Sequence, residues 1–228
     1  MSPFAVRLGA VGGWLAIVGL SVGLIILPAA IAGPPPSPSA SPEALRAYFD
    51  HPGLAILNGY VTGFVALGFV AFGLGMRVAF GAGSERDRAF ADLGVVLVVI
   101  AMGLNLISGA LVAALVDAAG RGGTDLTSLV RLHDVTYDGL GDVLEGGWMA
   151  AFSVAMLGGV TPRWIGWYGI ALGVAHWVKA LGPFTTLPDM VDMLFGLLIL
   201  VWFLATVVTL TRIARGRVGS RSRAPLPA

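Results

Sequence analysis

Cysteine is absent from this 228-residue chain. That absence excludes disulfides, thiolate metal ligands, iron–sulfur clusters and thiol redox chemistry. Charge is also scarce, at 12% of residues, against about a quarter in an ordinary soluble domain. Histidine is limited to His51, His133 and His176. No two of them stand at helical i, i+4 spacing and there is no His-Glu-x-x-His run, so the common helical zinc-protease signature is missing. Only His176 lies well inside an apolar run, which leaves no facing pair of axial ligands for haem. Ser108 and Ser153 lack the glycine context of a nucleophile elbow. No apolar run carries spaced arginines, which excludes a voltage sensor. No cofactor is expected.

What remains is strongly apolar, with 57% hydrophobic residues and a mean hydropathy of +0.86. A polytopic membrane protein follows, with the lipid bilayer as its first partner. Six runs approach or exceed the roughly 20 residues that a spanning helix needs. They lie near 8–32, 54–79, 90–116, 135–160, 163–182 and 189–212. The expected fold is all-α, a single bundle of six transmembrane helices. The connections are a Pro/Ser-rich segment with a short amphipathic stretch (33–53), a charged turn at 84–88, a Gly-rich loop (118–133), a tight turn at Thr161-Pro162, and Gly182-Pro183 through Pro188. The first run, ending in Ala30-Ile31-Ala32, reads as a span. It is nearly twice the length of the 7–15-residue apolar region of a secretory signal, the alternative reading, in which cleavage would leave five spans. The 33 glycines suit close helix packing, and Gly19/Gly23, Gly59/Gly63 and Gly169/Gly173 are expected to mark contacts within the bundle.

Orientation follows from the basic residues. With both termini cytoplasmic, Arg7, Arg77, Arg86, Arg88, Arg163 and the five tail arginines from Arg212 to Arg223 lie inside. Arg46, Arg121, Arg131 and Lys179 lie outside, an asymmetry of the expected sign. The basic tail, 213–228, is expected to be disordered and to lie against anionic lipid. No motif points to nucleic acid as a partner, and the sequence does not set an oligomeric state.

Acidic residues interrupt the fourth run. At about 100° per residue, Asp134, Asp138, Asp142 and Glu145 fall on one helical face. Carboxylates at membrane depth cost several kcal/mol unless they face a partner, a bundle interior or water. Asp138, Asp142 and Glu145 are therefore candidate acid/base groups. The same leaflet receives further polar or aromatic residues from other helices: Asn58 and Tyr60, Asn105, Tyr137, His176, Trp177, Lys179 and Asp192. These are candidate ligand-binding residues, while the inner halves of the helices are almost purely apolar. Each has a plainer role too. Asp189 and Asp192 suit a helix N-terminus, Asn105 an interhelical hydrogen bond, and Lys179 a snorkelling position. A weak metal alternative would use His133, Asp138 and His176 with Glu145.

The run from His133 through Tyr137-Asp138 to Gly141, followed by Pro162-Arg163-Trp164-Ile165-Gly166, resembles a pattern in the DUF4386 family of bacterial multi-pass membrane proteins. The resemblance covers residues 130–182, and beyond them only helix count and length. It implies a six-helix bundle in a bacterial cytoplasmic membrane and brings no assigned activity. Asp142, Glu145 and the Pro-rich segment are not part of the shared pattern.

Three functions fit these residues. The first is binding of a small amphipathic or lipid-like ligand in a polar pocket of the outer half. The second is a membrane-embedded enzyme using buried carboxyls on a lipid or isoprenoid-like substrate. The third is proton-coupled transport, against which the apolar inner half offers no polar path.

Overall fold

The computed structural model describes residues 3–33, 40–121, 126–158, 161–181 and 189–216, with the side chains of Leu24, Asn58, Asp138 and residues 189–193 outside that description. Every regular element among the described residues is helical. Helix α1 runs over Pro3–Ala32, α2 over Pro42–Phe49, α3 over Pro52–Phe80 and α4 over Glu85–Gly120. Helix α5 covers Leu126–Leu157, α6 Arg163–Lys179 and α7 Asp189–Ala214. Five are long and apolar enough to cross a membrane: α1, α3, α4, α5 and the Leu194–Ala214 part of α7. The expected fifth span corresponds to α6, which has 17 residues and is not among the five. Its rise is about 25 Å.

Local chemistry explains where the helices extend beyond the apolar runs. Helix α4 starts at Glu85 because Ser84 and Asp87 form a capping box. The Ser84 hydroxyl accepts from the Asp87 amide at 3.2 Å, and Asp87 accepts from the Ser84 amide at 2.9 Å. The loop expected over 118–133 is shorter than that. Leu126 and Val130, one turn apart, bury against Leu115 and Ala119 of α4 and Leu45 of α2. That contact makes Leu126–Asp134 helical and adds it to the front of α5. Helix α2 is the short amphipathic stretch, started by Ser41, whose hydroxyl accepts from the Ala44 amide at 3.2 Å. The loop 182–188 and the tail from 217 onward lie outside the described residues.

The helices pack in succession. Helix α1 lies on α3 and α7, α3 on α4, α4 on α5, and α5 on α6. Lipid supplies no hydrophobic drive between helices, so close packing and polar contacts hold them together. A Cβ on Gly9 would stand 2.4 Å from the Gly75 Cα, which shows how tightly α1 approaches α3. Aromatic side chains fill the centre, with Phe69 and Phe72 against Trp148 and Phe203. Aromatic donors tie helices together, among them Trp14 Nε1 to Thr211 Oγ1 at 3.2 Å, Tyr168 to the Leu198 carbonyl at 2.9 Å, and Trp202 Nε1 to the Ile165 carbonyl at 3.1 Å. Gly19 and Gly23 face Val65 and Val61, whereas Gly59 and Gly63 meet nothing within 4 Å. The last two border a shallow apolar groove of about 570 Å³ between α3 and α4.

Ser153 is fully buried at the α5–α6 contact, and its hydroxyl has no hydrogen-bond partner among the described residues. Desolvating a hydroxyl without a partner is unfavourable. Ser153→Ala is therefore expected to raise stability by about 1 kcal/mol, read as a higher melting midpoint in detergent micelles. A lower midpoint would show that the hydroxyl has a partner, such as bound water.

Candidate functional site

The site begins with two glycines. A Cβ on Gly146 of α5 would stand 2.6 Å from the Gly173 carbonyl oxygen of α6. A Cβ on Gly173 would stand 2.7 Å from the Gly146 carbonyl oxygen and 2.9 Å from Ala150 Cβ. The two backbones touch here because neither residue has a side chain. Asp142 lies one turn before Gly146, and His176 and Lys179 lie one and two turns beyond Gly173. The close crossing therefore brings them together.

Asp142 is 6% exposed and His176 1% exposed. Asp142 Oδ1 is 3.0 Å from His176 Nδ1, and its Oδ2 accepts from Lys179 Nζ at 2.9 Å. Histidine and lysine three residues apart share a face of α6, so both reach the same carboxylate. The carboxylate and the ring nitrogen share a hydrogen bond whose donor depends on the imidazole tautomer. The other ring nitrogen, Nε2, is buried and has no hydrogen-bond partner among the described residues. The ring edge meets Phe195 of α7 at 4.7 Å between centroids. Glu145, half-buried and one turn beyond Asp142, has the Asn105 side chain of α4 as a hydrogen-bond partner. The Asn105 amide also donates to the Ala101 carbonyl at 3.2 Å. Trp177 secures the crossing from the other side, its Nε1 donating to the Val143 carbonyl at 3.1 Å.

These residues border a cavity of about 220 Å³. Its polar wall is Asp142, Glu145, His176 and Lys179, and its apolar wall is Phe195, Gly196 and Ile199 of α7, with Tyr137 alongside. One donor atom from each of Asp142, Glu145 and His176 lies within 4.8 Å of the other two.

The acidic stripe is divided. Residues Val135–Gly141 form a π-helical segment, which winds more loosely than an α-helix and shifts the face of everything before it. Asp134 therefore stays apart from the cavity and pairs with His133 Nδ1 at 3.4 Å. His133 stacks on Tyr137 at 5.9 Å and is not in the donor triangle, so the triangle differs from the weak metal set read from the sequence. Asp138 lies in the π-helical segment with its side chain outside the described residues, as are those of Asn58 and Asp192.

Of the other candidates, Tyr60 is 71% exposed on the α3–α4 groove, away from this cavity. Trp177 flanks the cavity without lining it. Phe195, Gly196 and Ile199 escaped the sequence reading because apolar residues in an apolar span carry no distinguishing signal. Comparison with family models, with curated proteins and with solved structures finds no match to this chain.

Proposed function

We propose that this chain is a six-span protein of the bacterial cytoplasmic membrane, both termini inside, that binds a small amphipathic molecule in the α5–α6–α7 cavity. Membership of the DUF4386 family belongs to the same proposal and adds no chemistry to it. The observation that carries the reading is the two-sided cavity wall, charged on α5 and α6 and apolar on α7. Small-molecule sites combine apolar walls with a few convergent polar groups. At about 220 Å³ the cavity is smaller than the roughly 300–1,000 Å³ of sites that enclose a whole ligand. It suits a head group, with the tail outside the cavity. An enzymatic reading has one observation of its own. The Asp142–His176 contact fixes the orientation of an imidazole on the cavity wall, as a general base requires.

Gly196 supplies the test. A Cβ there meets nothing within 4 Å among the described residues, so Gly196→Leu places a bulky side chain on the cavity wall. Native mass spectrometry of gently extracted wild type is expected to show a bound amphiphile. Gly196→Leu is expected to lose it by about tenfold or more, equivalent to at least 1.4 kcal/mol, with unchanged melting. Equal adducts in both proteins, or none in wild type, would count against the pocket. Glu145→Gln with ligand retained but turnover of that ligand abolished would favour the enzyme.

A further inference from the structure

We propose that Asp142, Glu145 and His176 bind one divalent first-row transition ion of the zinc class in the wall of this cavity. Three donor atoms from two rigid helices already lie within 4.8 Å of one another. A tetrahedral ion held at about 2.0–2.2 Å from each donor sets them about 3.3–3.6 Å apart, so the set must draw in by about 1 Å to bind it. The ring donor is His176 Nδ1, 3.0 Å from Asp142 Oδ1, and an ion there takes the place of the proton between the two atoms.

A second observation is the cavity itself. Asp142, Glu145 and His176 all line it, and Asp142 and His176 are buried, so the three donors converge on a space that an ion can enter. Neutral imidazole is the commonest protein ligand for metals.

The donor set selects the ion. Magnesium and calcium prefer oxygen shells, whereas one imidazole with two carboxylates suits zinc, iron(II) or manganese. Charge supports binding as well. With both carboxylates ionised they outnumber the Lys179 ammonium, and excess buried charge is unfavourable. Each carboxylate oxygen has more than one lone pair, so Asp142 can keep Lys179 while ligating. Three protein donors leave a coordination position open toward the cavity, the arrangement of a reactive rather than a purely structural ion.

The test uses the full chain in detergent, stripped with a chelator and titrated with Zn²⁺ alone, with Co²⁺ absorption as a second readout. Wild type is expected to bind one ion per chain. His176→Gln and Glu145→Gln are expected to weaken binding by more than about tenfold, and His133→Ala to leave it unchanged. Lys179→Met removes a competing positive charge and is expected to tighten it. Melting curves identify any variant that fails to fold, and Glu145→Gln serves where His176→Gln does. Substoichiometric Zn²⁺ in wild type, or undiminished binding in both ligand variants, overturns the proposal. Native mass spectrometry on the same samples separates the two readings. An amphiphile retained without stoichiometric metal defeats the ion and leaves the pocket standing.

Discussion

Asp142→Ala is expected to destabilise the bundle by about 3–5 kcal/mol, the penalty for removing one member of a buried charge pair. The Asp142 side chain is 8% exposed and that of Lys179 19% exposed, so solvent screens their 2.9 Å contact little. Alanine would deprive both Lys179 and His176 of this carboxylate. Asp142→Asn keeps an oxygen for His176 and should cost less. Removing both charges together, as in Asp142→Asn with Lys179→Met, should recover much of the loss, because the lysine charge that the carboxylate balances is then removed as well. Melting midpoints of the single and double variants in micelles give the coupling directly. A change below about 1 kcal/mol for Asp142→Ala would mean that the pair is hydrated and behaves like a surface salt bridge.

Gly173→Val is the second large effect expected. The new Cβ would meet the Gly146 carbonyl oxygen at 2.7 Å, Ala150 Cβ at 2.9 Å and the Ala150 amide nitrogen at 3.2 Å. Two of these are backbone atoms that cannot rotate away, so α5 and α6 must separate. Overpacking of this kind costs about 3 kcal/mol or more. The separation also draws His176 and Lys179 away from Asp142, so bound amphiphile and bound ion should disappear together. Gly103→Val is the matched control. It adds the same side chain where nothing lies within 4 Å, and should change stability by no more than about 0.5 kcal/mol. Wild-type melting and intact binding in Gly173→Val would show that the glycine contact does not position the site.

Part of the site was legible because of solvent physics. Ionisable groups in an apolar run must find partners, and Asp142, Glu145, His176 and Lys179 do meet across α5 and α6. Tyr137 borders the same cavity, and Asn105 approaches Glu145 from α4. The stripe itself was misread at one end. A constant 100° per residue holds only for an α-helix, and the π-helical segment Val135–Gly141 breaks that period, separating Asp134 from the cavity. Tyr60 looked like a site residue on type alone, yet α3 presents it to the outer groove.

The helices themselves were determined by the sequence alone. Long apolar runs must satisfy their own backbone hydrogen bonds in a hydrocarbon solvent, and only a helix does so within one segment. Hydropathy therefore located α1, α3, α4, α5 and α7 to within a few residues at most boundaries, the early start of α5 excepted. Which polar groups touch was decided only by tertiary structure. Contact between Asp142 and the α6 pair depends on Gly146 meeting Gly173 at one crossing. The apolar wall of the cavity depends on which face of α7 turns inward. Both are properties of helix pairs, and pairwise packing of near-uniform apolar surfaces leaves no periodic trace in a single chain.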